Sequence, residues 1–568
     1  MLFNSALFIG CFLPITLLAF FQIGGRGYFR LATAWLLAAS LVFYSWWNPA
    51  NLLLLLASIG FNYGVGVGLV HVAQPHLRKA LLVLGITVNL TWLAYFKYAN
   101  FLIATVANLT TTVLNPVEVV LPLGISFFTF QQIAYLVDSY RSPQPFAYRF
   151  LDYSLFVSFF PHLIAGPLIH HKQIIHQFAN HTIYRFNSAS FAMGVTLFGM
   201  GLFKKVILAD GVAPYSTQIF AAATDGVALT VVEAWIGALA FTLQLYFDFS
   251  GYSDMAIGLA KMIGIDLPIN FNSPYKAVNI VDFWRRWHIT LSNFLRDYLY
   301  IPLGGNRKGK LRRNLNLMIT MLLGGLWHGA AWTFVVWGGL HGVYLLINHQ
   351  WRSLWQRLGG QNSQQNPVWA KRASWLLTFV AVVVGWVFFK AKSLEVAVSM
   401  LRGMVGLNGI SLPASLEDSL GFMQAWGVQF NDLMPSVQLQ VEQLDDVNEI
   451  DPIVPILKIS ALLLLVWLAP NTQEWLTRGA VAAVPDQGIQ PSDAEQLHRD
   501  DLRIGPVNWQ TLGRLNLRSF NLNSLNPNQL SARLSWRPNR VWAVISAILT
   551  AAALLNLAQV SEFLYFEF

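Results

Sequence analysis

The chain carries a single cysteine, Cys11, so neither an internal disulfide nor a cysteine-rich metal cluster can form within it. Cys11 itself is expected to be a small buried apolar residue in a membrane helix. Charge is scarce too. Asp, Glu, Lys and Arg make up 11% of the 568 residues, where soluble domains carry about 25%. That excludes an ordinary soluble enzyme. A regular ten-residue alternation is also missing, which argues against a membrane β-barrel. No basic residue precedes the first apolar segment, and no small-residue cleavage pattern closes it. It is therefore expected to stay as a helix and not to be removed as a signal. Finally, Lys and Arg are absent between Arg402 and Lys458, where Glu417, Asp418, Asp432, Glu442, Asp445, Asp446, Glu449 and Asp451 collect.

What remains is apolar. Hydrophobic residues make up 55% of the chain, at a mean hydropathy of +0.48. Runs near 20 residues recur, each long enough to cross ~30 Å of hydrocarbon as a helix. Backbone groups in lipid must be bonded within their own segment, so helices follow. The fold class is all-α, a multi-pass integral membrane protein. About eleven or twelve crossings of this length are expected, with re-entrant or interfacial segments between them. The net charge of +9 sits in short loops, as positive-inside loops and sites facing anionic headgroups require, and does not imply nucleic acid.

In chain order, residues 1–120 read as N-terminal membrane helices, at about Ala6–Gln22, Leu31–Trp47, Leu52–Val70 and Ala80–Tyr95. Their basic and neutral loops alternate, placing the N-terminus outside. Residues 121–350 form a core, and residues 351–568 hold further membrane helices. An acidic loop at about 410–452 is expected outside. An Arg-rich tract at about 471–540 is expected in the cytoplasm, its Asn/Gln/Ser/Pro-rich part weakly folded.

Two stretches break the apolar pattern: Leu121-Pro122-Leu123-Gly124-Ile125-Ser126-Phe127 and Phe160-Pro161-His162-Leu163-Ile164-Ala165-Gly166-Pro167. They read either as linings of an interior site or as ordinary kinked helices. After a helix at about Val231–Tyr246 comes Tyr246-Phe247-Asp248-Phe249-Ser250-Gly251-Tyr252-Ser253-Asp254. Acids in membrane are costly, so Asp248 and Asp254 either line a site or pair with Arg as structural glue.

The densest chemistry runs from Trp284 to Gly342. Trp284, Trp287, His288, Leu291, Leu295 and Tyr298 recur at helical spacing, which predicts one amphipathic helix with His288 turned inward. From Arg285 to Arg313 there are eight Lys or Arg and one acid, Asp297. Among them Arg285, Arg286, Arg307, Lys308, Lys310, Arg312 and Arg313 suit headgroups or the phosphates of a coenzyme or carrier arm. His328 lies between Gly324, Gly325 and Gly329, which leave room for a substrate or for close backbone. Trp327 and Trp332 are expected to exclude water around it. An imidazole is the side chain best matched to proton transfer near neutral pH. His341 reads as structural. His162, His170, His171 and His176 match no zinc spacing, so no metal site is expected.

The motifs Trp287-His288-Ile289-Thr290-Leu291-Ser292 and Gly325-Leu326-Trp327-His328-Gly329-Ala330 resemble the membrane-bound O-acyltransferase family. The likeness is strongest to its bacterial branch, which serves alginate O-acetylation and D-alanyl transfer to teichoic acids. The two broken stretches, the Asp248–Asp254 segment and Tyr300-Ile301-Pro302-Leu303-Gly304-Gly305-Asn306 are similar to that branch as well. Together they span Leu121–Asn348. The resemblance implies acyl transfer from a thioester to a hydroxyl, with His328 as the catalytic histidine and His288 as the second active-site histidine. It implies a central funnel reaching His328 from the cytoplasm, with no bound cofactor. The co-substrate would be acyl-CoA, foremost acetyl-CoA, or an acyl-carrier thioester. It further implies a polysaccharide acceptor, an exported acyltransferase- or esterase-like partner, and residence in the inner (plasma) membrane. Two rivals remain: a transporter or channel using the broken helices as a path, and a non-catalytic scaffold for an exported transferase. The C-terminal third exceeds what the family core requires.

Overall fold

Asn, Thr and Pro set the helix starts, and glycine sets the closest helix contacts. The computed structural model describes residues 1–142, 146, 148–358, 367–431, 453–481, 540–557 and 563–564. A π turn at Phe8–Phe12 leads into α1 (Leu13–Gly25), followed by α2 (Phe29–Ser45). Cys11, expected to be buried, is exposed in that π turn. Asn48 Oδ1 accepts from Ala50 N and Pro49 fills the first turn, which together start α3 (Pro49–His71). Pro75 likewise opens α4 (Pro75–Leu93). A π turn, Ala94–Tyr98, then carries the chain into α5 (Ala99–Thr110). The sequence predicts an end to this segment near Tyr95. The span instead continues from Pro75 to Thr110, because Lys97 and Tyr98 find partners described below.

Next come α6 (Ile125–Arg141), α7 (Phe150–Ser158), the short amphipathic α8 (His171–Phe178), α9 (Ser188–Phe203) and α10 (Ala213–Thr224). Helix α11 (Val231–Ile263) is the core's axis. Thr230 and Glu233 cap it reciprocally, and Gly264 at φ +91° closes it. Its 33 residues extend about 50 Å and are buried on almost every face. The sequence reading had ended this helix at Tyr246. It runs on through the Asp248–Asp254 motif because glycine there admits α9: a Cβ on Gly251 would meet Gly201 O at 2.7 Å.

There follow α12 (Ile280–Arg286), α13 (Ile289–Leu295), α14 (Gly309–His328), α15 (Trp332–Arg357), α16 (Val368–Lys390) and α17 (Leu394–Met404). Among the described residues, five spans are long and apolar enough to cross a membrane, and Phe29–Ser45, Ile453–Leu468 and Trp542–Leu555 are shorter apolar helices. This is an all-α, multi-pass membrane protein. Two four-residue strands, β1 (Ile410–Pro413) and β2 (Val428–Asn431), pair in parallel with Ile410 opposite Val428. They lie in the first half of the expected acidic loop; residues 432–452 fall outside the described residues, as does 482–539 of the Arg-rich tract. Two compact units are present, Met1–Ala469 with Leu549–Phe568, and Pro470–Ile548. In the second, Trp475 meets Trp542 edge-on at 4.7 Å.

Candidate active site

Helix α14 delivers His328 as its last residue. Gly329 turns the chain to extended geometry (φ −158°, ψ 149°), and α15 begins three residues later. Of the glycines around His328, Gly325 serves close backbone contact, while Gly324 and Gly329 face the side chains of Leu295 and Phe334. A Cβ on Gly325 would lie 2.2 Å from Phe334 O, and one on Gly338 would lie 2.3 Å from Met321 O, so α14 and α15 cross at backbone distance. The His328 side chain is 6% exposed and stands edge-on to Trp327 (5.0 Å), Trp337 (5.1 Å) and Phe389 (5.3 Å) between ring centroids. Trp327 and Trp337 thus exclude water. Trp332, expected to do so, is half exposed and packs on Phe101.

His288 does not lie within one amphipathic helix. The predicted helix breaks at Trp287–His288 into α12 and α13, and His288 adopts a left-handed backbone (φ 42°, ψ 54°). Such geometry costs a non-glycine residue about 1–2 kcal/mol. Asn270 holds it. Ile289 N donates to Asn270 O at 3.0 Å, and Thr290 N and Oγ1 both donate to Asn270 Oδ1, at 3.3 and 2.9 Å. A backbone N–H can only donate, so that atom is the amide oxygen. His288 Nδ1, 3.2 Å from it, therefore carries a proton. The buried His288 ring meets Phe249 edge-on at 4.8 Å and lies 6.3 Å from the His328 ring, at 61°.

A cavity of about 120 Å³ opens on His328, lined by Lys97, Leu121–Phe127, Ile164 and Trp327. The first broken stretch lines this cavity, and the second contributes Ile164. Gly124 is needed there for two reasons: its φ is +72°, and a Cβ would lie 2.9 Å from Leu163 O. At ~30 Å³ per water, the space admits a small acyl group.

The other predicted residues divide. Trp287 is buried against Phe271, Phe283 and Trp386, and Trp327 stacks on Phe130. Arg285 is exposed, whereas Arg286 donates from Nε to Asp282 at 2.9 Å. Arg307, Lys308, Lys310 and Arg312 are exposed at the start of α14, and Arg313 bonds Asn314. From Lys310 to His328 the helix rises about 27 Å, so the basic run is close to the histidine in sequence and far from it in space. Asp248 and Asp254 do not line the cavity. They pair with Lys205 (2.7 Å) and Lys204 (2.6 Å), lysines rather than arginines. His341 packs between Trp284 and Trp337, and neither ring nitrogen has a hydrogen-bond partner among the described residues. His162 meets Gln131, and exposed His176 bonds back to Lys172 O. His170 and His171 join a polar cluster: Tyr298 OH donates to Asp138 Oδ1, His171 Nε2 lies 3.2 Å from Asp138 Oδ2, and Tyr298 OH lies 3.1 Å from His170 Nδ1. Burial holds both imidazoles below their ordinary pKa, with the Asp138 carboxylate pulling the other way.

Two residues were not singled out from the sequence. Asn270 gives no local signal, since its role depends on a contact with residues 288–290. Lys97 does give one: it is the single charged residue in the apolar stretch 80–110 of the Pro75–Thr110 span.

Residues 77–389 match the model of the membrane-bound O-acyltransferase family, MBOAT, a wider stretch than the motifs alone indicated. The chain is 45% identical to a peptidoglycan O-acetyltransferase of Helicobacter pylori, over 72% of this chain and 81% of that protein. It is 44% identical to a probable alginate O-acetylase, AlgI, of Pseudomonas aeruginosa, over 71% and 75%. A teichoic acid D-alanyltransferase of Bacillus subtilis is 26% identical over 48% and 69%. The acidic loop and the Arg-rich tract lie beyond the family match.

Proposed function

The chain belongs to the membrane-bound O-acyltransferase family, and from that premise we propose that it moves an acyl group, acetyl foremost, from a cytoplasmic thioester to a hydroxyl of an exported or cell-surface polysaccharide. The observation that carries this reading is the pairing of His288 and His328 beside a small cavity among aromatic rings. His328 takes the proton of the acceptor hydroxyl as its oxygen attacks the thioester carbonyl. The C–S bond breaks, and the departing sulfur takes the proton back from the imidazole. His288, its Nδ1 turned to Asn270, orients the reacting groups and steadies the charge that develops. A dry aromatic surround strengthens each of these interactions. A positioned general base is worth about 10²–10⁴ in rate.

Acetyl-CoA, another acyl-CoA or an acyl-carrier thioester supplies the group, its phosphates held by the exposed cations Arg285, Arg307, Lys308, Lys310 and Arg312. The protein works in the inner membrane, with an extracytoplasmic acyltransferase- or esterase-like partner receiving or passing on the acyl group. Support for an acetyl group and a polysaccharide acceptor comes from the relatives named peptidoglycan O-acetyltransferase and probable alginate O-acetylase.

The test is ester-linked acetate on surface polysaccharide from cells carrying wild type, His328→Ala or a deletion, with membrane levels of the protein measured in parallel. Loss in both at matched levels is expected. Loss in the deletion alone would make the chain a scaffold, and full acetylation by His328→Ala would overturn the catalytic assignment.

A further inference from the structure

The last carbonyls of a helix have no partner within it, and the C-terminus is its negative pole. In α14 these groups belong to the residues that carry the candidate chemistry. Three of them, on Leu326, Trp327 and His328, are bonded by one neighbouring turn. Lys97 Nζ donates to Trp327 O at 2.6 Å and to His328 O at 3.1 Å, and Tyr98 OH donates to Leu326 O at 2.9 Å. Adjacent residues of a regular α-helix point about 100° apart. Lys97 and Tyr98 lie in the π turn Ala94–Tyr98 instead, and both reach the same helix end. Lys97 is also the one lysine, arginine or acid among the residues lining the His328 cavity. Its ammonium lies within 6.0 Å of the Trp327 ring centroid as well. A lysine placed in an apolar span without such partners would be costly, so its presence there points to use.

We infer that Lys97 is a positioning residue for the acyl transfer: its cation, presented by the π turn, caps α14 and fixes where the His328 imidazole stands against the cavity. This rests on the proposed role of His328. It adds a crossing, α4 to α5, whose contribution to the reaction passes through the backbone of another helix. The π turn itself is the device that allows it. Straightening it would turn Lys97 or Tyr98 away from α14.

The experiment measures thiol release from acetyl-CoA by membrane vesicles carrying the full chain, at matched protein level. Lys97→Met is expected to lower kcat on the order of 10²-fold, the cost of a misplaced catalytic group, while KM for acetyl-CoA stays at its wild-type value. Lys97→Arg, which keeps the cation and its donors, recovers most of the loss. Tyr98→Phe removes a cap bond without the charge and costs only a few-fold. A wild-type kcat in Lys97→Met overturns the inference, as does a loss confined to KM. Should Lys97→Met fail to reach the membrane, Lys97→Gln is compared with Lys97→Arg; equal kcat in the two overturns it, and a higher kcat in the arginine variant upholds it. His328→Ala separates this inference from its premise. A dead His328→Ala with a normal Lys97→Met sinks the Lys97 assignment alone, whereas an active His328→Ala sinks the premise.

Discussion

Asn270 Oδ1 stands 3.2 Å from His288 Nδ1 and receives both donors of Thr290 as well. One amide oxygen therefore holds a candidate catalytic ring and the turn that presents it. Replacing Asn270 with Ala removes that acceptor and leaves Thr290 N without its partner. A catalytic group misplaced by about 1 Å costs on the order of 10²-fold. Asn270→Ala is expected to lose acyl transfer on that scale, read as thiol release from acetyl-CoA in vesicles. Thr290→Val, which spares the Nδ1 contact, should retain most activity. Equal activity in Asn270→Ala and wild type would detach that contact from the reaction.

Close backbone contact between α14 and α15 makes a second prediction. Gly325 has Phe334 O 2.2 Å from where a Cβ would sit, and that oxygen belongs to backbone that cannot swing aside. Overpacking of this kind typically costs about 1–3 kcal/mol. Gly325→Ala should lower the unfolding temperature in detergent. It should also depress kcat, since His328 ends the displaced helix. Gly339→Ala, whose Cβ would meet only Leu322 Cδ2 at 3.5 Å, is the matched control and should be neutral.

Much of this was legible in the sequence because membrane helices announce themselves locally. Composition and long apolar runs carry the all-α class and the approximate places of the first helices, although α3 starts at Pro49 and not at the expected Leu52. The two histidines were legible because an imidazole among tryptophans and glycines stands out in an apolar chain. What was hidden depends on contacts across the fold. The break at His288 is imposed by Asn270, and periodicity alone favoured one continuous helix. The continuation of α11 past Tyr246 depends on glycines of α9 and on Lys204 and Lys205 in the π turn Lys204–Ala209 that follows it. Nor can spacing in sequence show that Arg307 to Arg313 and His328 occupy opposite ends of one helix.

Lys205 and Asp248 are both buried and pair at 2.7 Å, with Asp210 on the same ammonium at 2.8 Å. Backbone Leu564 N donates to the far oxygen of Asp248, so the pair also anchors residues 563–564, where the Phe563 ring lies under Lys205 Nζ. Removing one member leaves charge without its counterion, at about 3–5 kcal/mol. Lys205→Met should therefore lose folded protein from the membrane fraction. Lys205→Met combined with Asp248→Asn should recover part of it. A double variant worse than the single would show that the pair does more than compensate its own burial.

His171 gives stability a pH dependence of definite sign. Burial lowers its pKa from the ordinary value near 6.5, against the opposing pull of Asp138, and Lys172 lowers it further. The folded protein thus holds His171 neutral at a pH where the unfolded chain takes up a proton. Stability from this group is fully present above about pH 6.5 and falls as pH drops below it. His171→Gln should flatten the loss of detergent unfolding temperature between pH 7.5 and pH 5. An unchanged slope would assign the acid sensitivity elsewhere.

The about 27 Å that separates Lys310 from His328 predicts how the basic run behaves when neutralised. Cations at that distance cannot touch the reacting carbonyl. They can hold only the far, phosphorylated end of a long donor, which is equally bound in the ground and transition states. Binding of that uniform kind appears in KM and not in kcat. Changing Arg307, Lys308, Lys310 and Arg312 together to Gln is expected to raise KM for acetyl-CoA severalfold with kcat retained. The wild-type KM should also rise with salt, because exposed charges are screened over a Debye length of about 8 Å at physiological ionic strength. The quadruple variant should lose that salt dependence. A fall in kcat with KM unchanged would place the basic run in the chemistry itself, and a KM insensitive to both mutation and salt would move donor binding to another part of the protein.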